Sequence, residues 1–258
     1  MAPRRALVGA TVALLVSACA PAGPSVVDES PPTSEAGVVT TEPAPTSVAP
    51  DTAQDGTVVA RATGPEVTAY QEPDEASPPV ASLANPIASG GALVFRVLSP
   101  AAAAAEPWLE VMLPVRPNGT TGWIQADQVD LSLNPYRIVI DTSDHRLDLY
   151  RGPDLTLSTD IAVGTGDTPT PYGDFYLAEL LQPPDPGGAY GPYAFGLSGY
   201  SEVLDTFNGG NGVVGIHGTN EPAALGTDVS HGCVRVLNDV IEEMADRVPL
   251  GTPVLITV

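Results

Sequence analysis

What most constrains the fold of this 258-residue chain is a run of short β-type segments punctuated by turn residues, with no helical period until Asn238. Val58-Val59-Ala60, Leu93 to Leu98 and Trp108 to Leu113 are three such segments, and Asn118-Gly119 is a tight-turn signal before Gly122-Trp123-Ile124. The chain holds 28 prolines and 26 glycines, so extended helices have little room between breakers. A mainly β architecture is therefore expected. Residues 56–132 read as a small all-β barrel, with the alanines at 101–105 as a loop insertion.

Residues 136–258 read as a second β unit large enough for its own core. Arg137 to Asp141 and Arg146 to Tyr150 predict a hairpin turning through Asp141 to His145, with Leu147 and Leu149 inward and Asp148 and Tyr150 outward. Asp160 to Gly164 and Gly173 to Leu180 are further strands. Val213 to Ile216 predicts a buried strand that delivers His217 at its end. Asn238 is placed to cap a helix with Asp239, Glu242 and Glu243 near its positive end. Ile241, Met244, Ala245 and Val248 share one face of it. Pro249 and Gly251 end the helix, and Pro253 to Val258 is a last strand.

The N-terminus reads as an export segment. Arg4 and Arg5 precede an apolar or small run from Ala6 to Ala18, well below the roughly 20 residues that cross a bilayer. Residues 1–18 are thus expected to be a signal peptide. Val16-Ser17-Ala18-Cys19 resembles a bacterial lipobox, which implies that Cys19 is acylated and holds the protein as an exported lipoprotein at a membrane facing the cell wall. The alternative is an ordinary signal peptide with a chance cysteine. Residues 19–55 are dominated by Pro, Ser, Thr, Ala and acidic residues, and predict a disordered linker.

Of two cysteines, Cys19 sits at the cleavage point, which leaves Cys233 as a free thiol in an oxidising compartment. The formal charge is −21 and there is no lysine. Such a field excludes nucleic acid as a partner and disfavours anionic lipid, so membrane attachment falls to the acyl group. Cys233 lies in Ser230-His231-Gly232-Cys233-Val234-Arg235, shortly after His217-Gly218-Thr219. A thiol beside an imidazole is the usual arrangement for a cysteine nucleophile. Two alternatives use the same residues: a zinc site, for which no fourth ligand and no paired spacing is evident, and two core histidines with an inert buried thiol. His145 falls in a polar turn and reads as solvated.

Ser-His-Gly-Cys with the upstream His-Gly-Thr resembles the signature of the L,D-transpeptidases of the YkuD type. Gly164 to Phe175 resembles that family's Thr-Pro-containing strand-turn-strand. Pro183 to Gly199 resembles its variable flap, with Tyr190 and Tyr193 as substrate contacts. The resemblance implies an L,D-transpeptidase-type β-sandwich with one or more short helices. It makes Cys233 the nucleophile, His217 the base and the Gly218 carbonyl the group that orients the ring. It implies oxyanion donors on the backbone of His231, Gly232 and Cys233, supported by Ser230 and the His231 side chain. Thr219 and Arg235 are substrate contacts in this scheme. Arg235 reads equally as a brace or an internal ion pair.

Two-step acyl transfer between peptidoglycan stem peptides is the implied reaction, with no cofactor, no metal and carbapenem β-lactams as inhibitors. The same site could run an L,D-carboxypeptidase if water replaces the acceptor amine. A reading of another class is a catalytically silent wall-binding lipoprotein. Trp108-x-x-Val111 with Asn118 to Ile124 resembles bacterial SH3-like domains, which implies that 56–132 binds wall polymer or positions the catalytic unit, or acts as a plain spacer.

Overall fold

The computed structural model describes residues 56–98, 106–207 and 210–258. The expected signal peptide, Cys19, the expected 19–55 linker and the expected 101–105 loop insertion lie outside the described residues.

Period-two burial builds the first sheet. Its strands are β1 (Thr57–Ala62), β2 (Glu66–Tyr70), β3 (Pro79–Ala84), β4 (Val94–Val97), β5 (Trp108–Met112), β6 (Thr121–Gln125) and β7 (Val129–Asn134). They order as β3-β2-β6-β5-β4-β1-β7, and every pairing is antiparallel. Ala60, Val67, Phe95, Leu109, Val111 and Ile124 fill its interior.

The second sheet has eight strands: β8 (Tyr136–Asp141), β9 (Arg146–Arg151), β10 (Asp154–Asp160), β12 (Gly173–Leu181), β13 (Ala194–Tyr200), β14 (Val213–His217), β16 (Val234–Arg235) and β17 (Pro253–Thr257). Two short segments, β11 (Val163–Gly164) and β15 (Asp228–Ser230), pair in parallel beside it. The order is β10-β9-β8-β17-β12-β13-β14-β16, with β8–β17 and β14–β16 parallel. Helix α1 (Asn238–Arg247) buries Ile241 and Met244 in the core that holds Ile140, Leu149, Phe195 and Ile216.

The 137–150 hairpin forms as expected, with Leu147 and Leu149 fully buried. Three expectations need correcting. The strand read as starting at Asp160 is two elements, and β10 already pairs with β9 from Asp154. The region read as a flap through Gly199 is a loop only to Tyr193. Beyond it, β13 is a buried inner strand, since Phe195, Gly196, Leu197, Ser198 and Gly199 all face packed neighbours. Asn238 does not cap α1. It is the first helical residue, Leu237 takes the cap position without a side-chain bond, and the Asn238 side chain is engaged elsewhere.

The two sheets are joined by specific contacts. Tyr176 is fully buried and donates to the Val94 carbonyl at 3.1 Å, and burial raises its pKa. Asn134 donates to Thr252 Oγ1 at 2.8 Å. Arg116, at the β5–β6 turn, donates to the carbonyls of Ser201, Leu204 and Asn211 and lies 4.8 Å over the Tyr200 ring. Asn118 exchanges both backbone bonds with Tyr200. The first sheet therefore grips the segment between β13 and β14.

Candidate active site

The buried strand β14 ends at His217, which is only 5% exposed. His217 Nδ1 lies 2.6 Å from the Gly218 carbonyl oxygen. A carbonyl only accepts, so the ring proton sits on Nδ1 and the lone pair is left on Nε2. Burial pushes the His217 pKa down to about 4; the Gly218 bond opposes this and the Arg235 charge adds to it. The imidazole is thus neutral near pH 7.

Cys233 is a free thiol one residue before β16. Burial pushes its pKa up, while a hydrogen bond with the Gly215 backbone and the Arg235 charge pull it partly back. Cys233 and His217 line one cleft of about 490 Å³, with Tyr190, Phe207, Gly196 and Gly215 among its other walls. A raised thiol is not a preformed thiolate. It needs a base that takes the proton during attack, and a neutral imidazole with a free lone pair can do so.

The loop carrying Cys233 is fixed by its own backbone. Ser230 Oγ donates to the Cys233 carbonyl at 2.5 Å and accepts from the Gly232 N–H at 3.1 Å. Gly232 sits at φ +111°, a conformation side-chain-bearing residues rarely adopt. Thr165 N–H and Thr168 Oγ1 both donate to the Ser230 carbonyl, so the Thr-Pro segment braces this loop from below. Parallel pairing of β14 with β16 sets His217 opposite Arg235.

Of the other expected site residues, Tyr190 joins the described lining of the cleft and the rest do not. The exposed His231 side chain stacks on Phe207 with ring centres 5.0 Å apart, and does not support a donor in the cleft. The Gly232 N–H is already spent on Ser230, which removes it from the expected oxyanion donors. Tyr190 holds its ring 4.8 Å from that of His217. Tyr193 packs against the core and its hydroxyl accepts from Gln182, so it does not line the cleft. Thr219 is buried; its N–H donates to Asn238 Oδ1 and its hydroxyl accepts from the Glu221 N–H. Arg235 donates to Glu221 at 3.1 Å, the internal ion pair. Among the described residues no three His, Cys, Asp or Glu groups gather to hold a metal ion. Nor is any described helix long and apolar enough to cross a membrane.

Three contributors escaped the sequence reading. Phe207 gave no signal, being one aromatic residue in an unpatterned loop. Gly215 was hidden inside an apolar run. Asn238 orders the His217-Gly218-Thr219 turn from nineteen residues away; its position at a helix start pointed to capping instead.

Residues 135–256 match the model of the L,D-transpeptidase catalytic domain, YkuD. The YkuD protein of Bacillus licheniformis, named as an L,D-transpeptidase, is 39% identical over 123 residues, 48% of this chain and 66% of the relative. Its Bacillus subtilis counterpart is 37% identical over 122 residues, 47% of this chain and 66% of the relative. The chain thus spans just under two thirds of these relatives' length. A solved catalytic domain of the Enterococcus faecium L,D-transpeptidase, acylated by ertapenem, is 26% identical with a TM-score of 0.35, covering 49% of this chain and 99% of that one.

Proposed function

Residues 135–256 belong to the L,D-transpeptidase catalytic domain family, and from that premise we propose that this chain is a cysteine-dependent acyltransferase that cross-links peptidoglycan stem peptides. The observation that carries the proposal is the joint lining of one cleft by a free thiol and a neutral histidine whose Nδ1–H is tied to a carbonyl.

The chemistry follows from the two protonation states. Cys233 Sγ attacks the carbonyl between the third residue of a donor stem and its terminal D-alanine, and His217 Nε2 takes the thiol proton. In this reading the N–H groups of His231 and Cys233 serve as the donors to the developing oxyanion. His217 then returns the proton to the departing amine, D-alanine leaves and a thioester forms. The side-chain amine of a second stem attacks the thioester, gives its proton to His217 and releases Cys233 with a new bond between the two third residues. Carbapenems acylate the same thiol. In the same reading Cys19 carries the lipid that holds the exported protein at the membrane, and the first sheet, SH3-like in its sequence pattern, positions the catalytic unit.

Product analysis tests this. Protein incubated with disaccharide-tetrapeptides should yield dimers joined through their third residues together with free D-alanine, and Cys233→Ala should yield neither. Tripeptide without dimer would assign a carboxypeptidase instead.

A further inference from the structure

Glu179, on β12, lines both the Cys233 cleft and a second cavity of about 590 Å³ that adjoins it. Leu181, Asn211 and Val213 are also shared by the two linings. Among the described residues Glu179 is the one carboxylate in either lining, set among Leu83, Ile87, Leu93 and Leu197 on the outer side.

This carboxylate is built in. Glu179 Oε2 accepts from Ser89 Oγ, in the connection between β3 and β4, at 2.6 Å. Gly196 lies directly across on β13, and a Cβ there would stand 2.7 Å from both Cγ and Oε1 of Glu179. The missing side chain is what lets Glu179 lie over the strand. Among the described residues Glu179 has no ion-pair partner. A half-buried carboxylate with one neutral donor and apolar walls has unspent capacity for a cation.

The register relates it to the thiol. Glu179 pairs with Gly196, Gly196 pairs with Gly215, and the Gly215 backbone bonds Cys233. The row Glu179–Gly196–Gly215–Cys233 therefore runs straight across β12, β13 and β14, with two glycines as a flat floor. Two strand spacings, roughly 10 Å, separate the Glu179 and Gly215 backbones. An extended diamino-acid side chain, met by the Glu179 side chain, closes that gap.

We infer that Glu179 is a subsite for a primary ammonium at the end of the donor's diamino-acid side chain. The inference rests on the transpeptidase reading for the identity of the peptide, though not for the existence of the site.

Calorimetric binding to Cys233→Ala protein decides it, using a stem tetrapeptide whose side-chain amine is free or N-acetylated. The free amine should bind about tenfold tighter, the size expected for a charge-assisted bond that is partly solvated. Glu179→Gln, which keeps the Ser89 partner, should abolish that preference by weakening only the free-amine peptide. Gly196→Ala, which displaces the carboxylate, should do the same. Unchanged thermal midpoints exclude unfolding as the cause. Equal binding of the two peptides, or a preference that survives in Glu179→Gln, overturns the inference. D-alanine release by otherwise native protein with the same two donors gives the second readout: indifferent release, with a Glu179→Gln defect confined to transfer, would overturn the donor assignment. A binding preference without any turnover would leave the subsite standing and remove the transpeptidase reading.

Discussion

The two sheets solve different problems. The first pairs only antiparallel strands, although the chain passes from β1 to β2, from β3 to β4 and from β6 to β7 between strands that are not paired. The second contains two parallel pairings. One joins β8 to β17, at opposite ends of the domain, and the other joins β14 to β16. The second of these brings the base and the thiol loop together. A parallel pair needs a connection that leaves the sheet and comes back, and residues 218–233 are that connection. The chemistry lies where the chain makes this detour. The first sheet has no parallel pair and so no such detour, and it reaches the cleft through its grip on the loop that carries Phe207 and through the Ser89–Glu179 bond.

Substitutions can break this contrast in order of size. His217→Gln should cost about 10²- to 10⁴-fold in kcat/KM, the range for loss of a general base, with the fold intact. Its pH signature is specific. The acid limb of wild-type activity should lie near the depressed pKa of about 4, since only neutral His217 accepts a proton. Stability carries the matching sign. Between about pH 6.5 and 4 the unfolded chain binds a proton that the folded chain refuses. The wild-type midpoint should therefore fall relative to His217→Gln as pH drops through that window, and run parallel to it above pH 6.5. Paired thermal melts across pH 4–8 would check this.

Gly232→Ala comes next. It forces a side chain into φ +111°, about 1–3 kcal/mol of strain inside the thiol loop, and should lower acylation roughly 10- to 100-fold. Gly119→Ala in the first sheet is its control. That glycine is also in the left-handed region, at φ +79°, with open space around it. It should cost about 1 kcal/mol of stability and leave the acylation rate unchanged. Equal effects of the two on rate would erase the distinction between the sheets.

Arg116→Ala tests the grip. It removes three bonds to carbonyls and a stacked ring, and should destabilise by about 2 kcal/mol. A several-fold fall in acylation rate should accompany it, because the loop between β13 and β14 walls the cleft. Lost stability with unchanged kinetics would confine the first sheet to a spacer. Glu221→Ala should matter least. Its pair with Arg235 is largely exposed on the Glu221 side, and such pairs contribute about 1 kcal/mol or less.

The local parts of the fold were legible because local rules set them. Alternation fixed Leu147 and Leu149 inward, and an apolar run ending at His217 marked a buried strand end. What depends on partners distant in the chain was not legible. Asn238 looks like a cap in isolation, yet its amide oxygen is drawn to Thr219 N–H once the His217 turn packs against α1. His231 is adjacent to the thiol in sequence, yet a tight turn at Gly232 sends its ring outward onto Phe207. The inner strand β13 was masked by its glycines. These are packing necessities, since a Cβ at Gly199 would strike the Phe175 ring and one at Gly196 would stand 2.7 Å from Glu179 Cγ.

The account depends most on Cys233 being a nucleophile that His217 deprotonates. Intact-mass analysis of the protein after brief exposure to a carbapenem tests both halves at once. The account predicts one adduct per chain on wild-type protein, none on Cys233→Ala, and a greatly slowed adduct on His217→Gln. No adduct on wild-type protein, or an undiminished rate in His217→Gln, would contradict it.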